Sequence, residues 1–374
     1  KEEDIMKKFK KFLSVAVASA MVMAMAGCGN TDNGSAATGA NAATESAAAS
    51  DSAASGSVFK IGGIGPTTGG AAVYGLAVQH GAEIAVEEIN AAGGINGYQV
   101  EFKFQDDEAD AEKSVNAYNA LKDWGAQIID GSTTSGACIA VTDKTKEDNM
   151  FQITPSGSAV ECVQYDNNFR VCFSDPNQGL ASAQYIGENG LAEKIAVIYD
   201  SSDVYSSGIY EKFAKEAENQ PFEIVAAEAF TADNKTDFSV QLQKAKDAGA
   251  DMVFLPIYYQ ESALILTQAA AMGYAPKWFS CDGMDGILGG VDNFDVSLTE
   301  GVMLLTPFAA DATDDLTQSF VTKYKEKYGE TPNQFAADSY DAIYVIKAAI
   351  EKSGVTPDMS VSDICDGMKA AMTE

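Results

Sequence analysis

The chain has 374 residues, with 54 acidic against 25 basic side chains, so its formal net charge at pH 7 is −29. This charge argues against nucleic-acid binding, because phosphates are bound by clustered cations. His80 is the only histidine, and C-x-x-C, H-E-x-x-H and calcium-loop motifs are missing from the sequence. We therefore predict no metal, no cofactor and no enzymatic activity.

Residues 1–27 have the pattern of a secretory signal peptide with a short upstream extension. Met6, which we take as the start, is followed by lysines at positions 7, 8, 10 and 11 and then by an apolar run over 12–26. This order of a basic and an apolar segment is typical of a signal peptide. The alternative of an N-terminal membrane anchor is disfavoured, because a spanning helix needs ~20 apolar residues.

The segment Met25-Ala26-Gly27-Cys28 resembles the bacterial lipobox, in which the cysteine becomes the lipid-modified first residue, although Leu is usual where Met25 stands. Residues 28–57 are almost entirely Ala, Ser, Gly, Asn, Thr and Asp. Such a segment cannot bury enough apolar surface to fold. We expect lipidation at Cys28, a disordered tether over 28–57 and a globular body beyond it.

The body alternates short β-type runs with amphipathic helical runs, which is typical of parallel sheets with crossover helices. Strands are predicted at 59–64, 100–105, 127–129 and 150–154, and a second series at 194–199, 222–227, 252–255, 278–280 and 302–305. Crossings between the series are predicted near 173–176 and 306–307. We therefore predict an α/β fold of two Rossmann-like lobes joined by a hinge, with lobe 1 at 58–175 plus 307–352 and lobe 2 at 176–306 plus 353–374.

Loops that follow the predicted strands differ between the two series. In the first series they are rich in hydroxyl groups and glycine and lack basic residues, at 65–70, 130–137 and 155–158. Helix N-termini in such loops can hold a carboxylate without Lys or Arg. The second series offers Tyr205, Tyr258, Tyr259 and Asp282, which suit an ammonium group on an apolar body. The alternative is structural, since Ser and Thr are ordinary helix caps and Asp282 precedes a glycine in a turn-like sequence.

Cys162 and Cys172 flank the turn-like stretch 165–168. Thiols outside the cytoplasm can be oxidised. A local disulfide between these two residues is a hypothesis, and two free thiols are the alternative, because sequence alone does not establish pairing.

The body resembles the branched-chain amino-acid-binding proteins, the leucine/isoleucine/valine-type periplasmic binding proteins of ABC importers. The most specific match is the run from Glu88 to Gly97, Glu-Ile-Asn-Ala-Ala-Gly-Gly-Ile-Asn-Gly. Weaker matches are Lys60-Ile61-Gly62, Tyr74-Gly75, Ile153-Thr154-Pro155-Ser156 and Phe169-Arg170. The resemblance implies a type I periplasmic-binding fold that captures an amino acid between its lobes and delivers it to ABC importer permease subunits. We expect a monomer that is lipid-anchored on the outer side of the bacterial cell membrane.

The resemblance also implies roles for single residues. Ser135 would bind the ligand carboxylate through its hydroxyl and N–H, the loop with Ser156 and Ser158 would meet both polar ends, and Asp282 would neutralise the ammonium. Glu is frequent in the family where Asp282 stands. Other positions that match the surroundings of the ligand are Tyr74, Thr133, Thr134, Tyr205, Tyr258 and Phe308.

The ligand class and the end of the chain stay open at this point. A branched-chain or other hydrophobic amino acid fits best; a receptor for an aromatic or small amide- or urea-type ligand, a sensor domain of the same fold, and carboxylate-only catalysis are alternatives. Family members usually continue past the last helix into further strands of the second lobe. We therefore expect that this chain is incomplete at its C-terminus.

Overall fold

A five-stranded parallel sheet forms the centre of lobe 1 in the computed structural model, which describes residues 56–373. Its strand order is β2-β1-β3-β4-β5. The central strands are buried on both faces, as expected where helices cover both sides of a parallel sheet. The strands are β1 Phe59–Gly65, β2 Val100–Asp106, β3 Ile128–Asp130, β4 Phe151–Thr154 and β5 Asn168–Arg170. The crossover helices are α1 Ala72–Ala91, α2 Ala111–Trp124 and α3 Ser135–Asp148.

Lobe 2 repeats this plan with a second parallel sheet in the order β10-β9-β8-β6-β7. Its strands are β6 Lys194–Asp200, β7 Glu223–Phe230, β8 Met252–Leu255, β9 Lys277–Ser280 and β10 Met303–Leu304. Its helices are α4 Asp175–Glu188, α5 Val204–Ala217, α6 Ser239–Asp247, α7 Tyr259–Ala271 and α8 Ile287–Gly290. The predicted α/β fold with two parallel-sheet lobes is confirmed.

Local sequence signals explain where several of these elements begin and end. The carboxylate of Asp110 accepts the backbone N–H of Lys113 at 2.9 Å and so caps the start of α2. The same helix ends at Gly125, whose φ of 94° lies in the left-handed region that favours glycine. The first crossing begins with Ser174, which caps α4 through Asn177 N–H, so the chain enters lobe 2 as a helix.

Two of the last helices return to lobe 1. They are α9 Asp315–Tyr328 and α10 Gln334–Ser353, and α10 packs along α1. Lys327 of α9 pairs with Glu87 of α1 at 2.5 Å, and Lys323 pairs with Glu88. Residues 315–353 therefore pack on lobe 1.

The final helix, α11 Val361–Thr373, also lies on lobe 1. Asn149 at the end of α3 donates to Ser362 Oγ at 2.8 Å, and Gln127 donates to the carbonyl of Pro357 at 2.8 Å. This placement corrects the predicted assignment of residues 353–374 to lobe 2. The helix buries one apolar face with Ile364, Cys365 and Met368, and a pattern of this kind shows which face is buried without identifying the lobe that covers it.

The predictions for the N-terminal segment fall outside the described residues. They are the signal peptide over 1–27, lipidation at Cys28 and the tether up to residue 55. Of the helices between residues 56 and 373, none has the length and apolar character needed to cross a membrane.

Candidate functional site

A small cavity lies between the lobes at the carboxyl ends of both sheets, where open α/β sheets bind ligands. Nine of the ten residues predicted to surround the ligand line it, together with two that were not predicted. The lining residues are Tyr74, Thr133, Thr134, Ser135, Ser156, Ser158, Tyr205, Tyr258, Asp282, Gly283 and Phe335.

The lobe 1 wall consists of two loops that hydrogen-bond to each other. Ser135, the first residue of α3, accepts the backbone N–H groups of Ser158 and Ala159 at its Oγ, both at 3.1 Å. Ser156 Oγ donates to the carbonyl of Thr133 at 2.6 Å. Because the Ser135 oxygen already accepts two N–H groups, its own proton is free to be donated into the cavity. The wall thus combines a hydroxyl donor with the positive end of a helix.

Two further hydroxyl groups of this wall are buried. Thr134 Oγ1 and Ser158 Oγ have no hydrogen-bond partner among residues 56–373. Since buried polar atoms in native proteins normally have a partner, these groups suit a polar ligand.

Arg170, the single arginine, supports the same loop from behind. Its guanidinium donates to the carbonyls of Ser158 and Ala159 at 2.8 and 3.1 Å. The cation therefore fixes the loop backbone and is not one of the groups that line the cavity.

The lobe 2 wall is centred on the carboxylate of Asp282, which follows β9 and is 4% exposed. Tyr205 donates its hydroxyl proton to Oδ1 at 2.6 Å and accepts the N–H of Gly283 at 2.9 Å. Burial raises the pKa of Asp282 to about 6, and hydrogen bonds from Tyr205 and Gln178 oppose this rise. A cationic partner would therefore stabilise the ionised form of this buried carboxylate.

Aromatic rings enclose the rest of the cavity. Tyr205 and Tyr258 stack with centroids 5.0 Å apart, and Tyr74 lies 5.5 Å from Tyr258 and 4.3 Å from Phe335. The hydroxyl of Tyr74, on α1 of lobe 1, donates to the carbonyl of Gly283 in lobe 2. The rings can therefore surround an apolar side chain while Tyr74 joins the two lobes.

Phe335 occupies the aromatic position that sequence reasoning gave to Phe308. Phe308 lies on the second crossing, where it packs edge-on against Phe320 at 6.1 Å and is not among the residues that line the cavity. Phe335 stands in the first turn of α10, which Asn333 caps. The feature of the sequence that could have identified Phe335 is the helix cap Asn333, which precedes α10 at the boundary between the lobes.

Asp175 is a second acid that sequence reasoning did not single out. It is 1% exposed at the start of α4, and neither carboxylate oxygen has a hydrogen-bond partner within residues 56–373. Burial raises its pKa to about 8, and the charge of Asp282 reinforces this rise. The feature of the sequence that could have identified Asp175 is its position directly after Ser174, in the predicted crossing between the lobes.

The structure does not contain the disulfide hypothesised between Cys162 and Cys172, since both thiols are free and buried. The intervening chain is more than a turn, because it includes strand β5. Cys162 lies 3.7 Å from the carbonyl of Ser135. Cys172 lies instead near Asp338 and Asp282, which raise the pKa of its already buried thiol.

His80 lies apart from the cavity. Its ring stacks on Tyr328 with centroids 3.7 Å apart, and its Nδ1 is 3.9 Å from Glu330. Among residues 56–373, His, Cys, Asp and Glu form no group of three that could hold a metal ion.

Comparisons with known proteins agree with this architecture. Residues 58–373 match the family model for periplasmic binding proteins. The Leu/Ile/Val-binding protein homolog 3 of Brucella melitensis is 31% identical over 300 residues, which cover 80% of each chain. The leucine-, isoleucine-, valine-, threonine- and alanine-binding protein of Pseudomonas aeruginosa is 30% identical over 311 residues, which cover 81% of each chain.

A solved structure shows the same similarity in three dimensions. It is the branched-chain amino acid transporter substrate-binding protein of Streptococcus pneumoniae in complex with isoleucine. It superposes with a TM-score of 0.73 at 28% identity, over 83% of this chain and 87% of the other.

Proposed function

Since this chain belongs to the periplasmic binding protein family, we propose that it is an extracytoplasmic solute-binding protein that captures a branched-chain or similar hydrophobic amino acid for an ABC importer. The observation that supports this proposal most is that the two walls of one cavity suit opposite charges on a ligand. A hydroxyl and a helix N-terminus lie on one wall, with Ser135, and a buried carboxylate lies on the other, with Asp282.

The two walls match the two charged ends of an amino acid. The carboxylate of the ligand would accept the free proton of Ser135 and lie at the N-terminus of α3, where the helix dipole favours negative charge. The ammonium would pair with Asp282, which Tyr205 holds in place at 2.6 Å. A buried ion pair is favourable only when its groups are also hydrogen-bonded, and this arrangement satisfies that condition.

Capture would occur by closure of the lobes around the ligand. The lobe-to-lobe bonds of the structure show which groups can hold the closed state. Besides Tyr74 and Gly283, Gln334 of α10 donates its amide to the carbonyl of Asp282 at 3.1 Å and its backbone N–H to Asp285 at 2.9 Å. Closure therefore positions the same Asp282 that would bind the ammonium.

The rings favour an apolar ligand side chain. Tyr74, Tyr258 and Phe335 enclose the cavity without adding a charge to it, and rings of this kind suit a small apolar side chain. The Streptococcus pneumoniae relative was solved with isoleucine, which supports a ligand of that size and polarity.

A thermal-shift screen tests this proposal, because a ligand stabilises the state that it binds. Leucine, isoleucine and valine are expected to raise the melting temperature, while aromatic carboxylates and small amides leave it unchanged. A shift with only the carboxylates or amides would instead support a receptor for that ligand class.

For the N-terminal segment we propose lipidation at Cys28, with residues 28–57 as a tether that keeps a monomeric body close to the permease subunits. The lipobox-like sequence before Cys28 supports this part of the proposal. Cys28→Ala should move the protein from the membrane fraction to the soluble fraction of cells. Membrane retention of that variant would contradict the assignment.

A further inference from the structure

Two buried cysteines lie directly behind the lobe 1 wall of the cavity. Cys138 is on α3, one turn after Ser135, and Cys162 is in the short 3-10 helix Val160–Val163 that follows the Ser158 loop. Both are 0% exposed, and they form a small apolar cluster with Ala159 against which Ile139 packs.

The contacts of these two residues place both side chains between α3 and the loop that carries Ser158. Cys162 and Cys138 belong to the same buried cluster, and the Sγ of Cys162 lies 3.7 Å from the carbonyl of Ser135. Gln152 Nε2 lies 3.6 Å from the sulfur of Cys138. The two thiols therefore share the space between α3 and the loop that carries Ser158.

The remaining described cysteines have other surroundings. Cys172 lies near acidic side chains, Cys281 lies 3.7 Å from Ser182 in lobe 2, and Cys365 belongs to the core beneath α11. Of the five cysteines within residues 56–373, Cys138 and Cys162 are the two that share one buried cluster.

We propose that Cys138 and Cys162 are a modification site, at which a disulfide forms when the protein folds in the presence of a small-molecule disulfide oxidant. One thiolate attacks a sulfur of the oxidant to give a mixed disulfide and release one thiol. The second thiolate then attacks the mixed disulfide, which forms the Cys138–Cys162 bond and releases the second thiol. The two cysteines lose two electrons and two protons, and the oxidant takes up both.

The bond would join the two loops of the lobe 1 wall. Cys138 is anchored in the first turns of the helix that starts with Ser135, and Cys162 follows the segment whose N–H groups bond to Ser135 Oγ. A crosslink here restricts the unfolded chain over a loop of about 25 residues. It would also hold the wall in its bonded geometry, and its formation does not depend on which ligand the protein binds.

Mass spectrometry of the oxidatively refolded full chain tests this proposal. A Cys28→Ser background leaves only the five described thiols. The chain is unfolded under reducing conditions, refolded with reduced and oxidised glutathione, and alkylated in denaturant. The expected product has lost two hydrogen atoms, carries alkyl groups on Cys172, Cys281 and Cys365, and yields a linked peptide pair that contains Cys138 and Cys162.

Matched variants distinguish oxidation of Cys138 and Cys162 from oxidation of other cysteines. Cys172→Ala should keep the linked peptides, whereas Cys162→Ala should lose them. The linked protein should melt several degrees higher than its reduced form, and the reductant should not change the melting temperature of Cys162→Ala. Alkylation of all five thiols after oxidative refolding, or linked peptides that join Cys162 to Cys172, would overturn the proposal, and both outcomes can be seen without any variant.

Discussion

The two walls of the interlobe cavity use different chemistry for the same task. On the lobe 1 wall, the hydroxyl groups of Ser135 and Ser156 hydrogen-bond to neighbouring backbone groups, and the wall carries no formal charge. On the lobe 2 wall, Asp282 is a buried carboxylate whose hydrogen bonds do not fully offset the cost of burial, since its pKa stays raised to about 6. We propose from this difference that lobe 1 orients the ligand, while lobe 2 selects it by charge and supplies most of the sensitivity of binding to mutation and pH.

The largest expected effect comes from removing the charge of the lobe 2 wall. Asp282→Ala would leave the ligand ammonium buried without a partner, which costs about 3–5 kcal/mol and weakens affinity by at least about 100-fold. Isothermal titration calorimetry with isoleucine measures this loss. Asp292→Ala removes an exposed acid of the same lobe and should keep the affinity of the unchanged protein. An unchanged affinity in Asp282→Ala would contradict the proposal that the lobe 2 wall selects the ligand by charge.

A smaller effect is expected from the lobe 1 wall. Ser135→Ala removes one hydrogen bond to the ligand carboxylate, worth about 1–3 kcal/mol, but leaves the helix N-terminus in place, so affinity should fall about tenfold to hundredfold. The variant should also melt at a lower temperature, because the N–H groups of Ser158 and Ala159 lose their acceptor.

A buried serine of lobe 2 serves as the control for this measurement. Ser262 is 0% exposed and does not line the cavity, so Ser262→Ala should bind isoleucine as the unchanged protein does. If Ser135→Ala weakened binding as much as Asp282→Ala, the two walls would contribute equally and the contrast would be wrong.

The smallest expected effect is the change of affinity with pH. The ligand ammonium requires ionised Asp282, whose pKa is raised to about 6 in the ligand-free protein. Below that pH a proton must leave before the ammonium can pair, so affinity at pH 5 should be about tenfold weaker than at pH 7.

Titrations at both pH values check this expectation. The sign follows from the direction of the shift: a raised carboxylate pKa favours the protonated form, so binding weakens as the pH falls. Asp282→Asn should show no such change, and an affinity that rises toward pH 5 would contradict the assignment.

Much of the fold followed from the sequence because its signals were periodic and local. Each β-type run with its helical run predicted one βα unit, and the restart near residue 176 predicted the second lobe. The loops with Ser135 and Ser156 were found because parallel strands place their carboxyl ends at one edge, where ligands bind. These predictions depend only on short stretches of chain.

Predictions that depend on long-range packing were less accurate. The amphipathic pattern of α11 did not reveal that Asn149 and Gln127 of lobe 1 would bind it. The crossing that contains Phe308 is irregular and lies outside the cavity. Phe335, at the start of α10, lines the cavity instead. A disulfide of Cys162 was predicted with Cys172, close in sequence, whereas the structure places Cys162 in one buried cluster with Cys138 of α3.

A calorimetric comparison of L-isoleucine with its deaminated analogue, 3-methyl-2-oxopentanoate, at pH 7 tests the central claim most directly. The two ligands share the carboxylate and the apolar side chain, and they differ in the ammonium that Asp282 is proposed to bind. We predict measurable binding of isoleucine and affinity for the analogue at least about 100-fold weaker, since the buried carboxylate would then lack its partner. Equal affinity for both ligands, or binding of the analogue alone, would contradict the account.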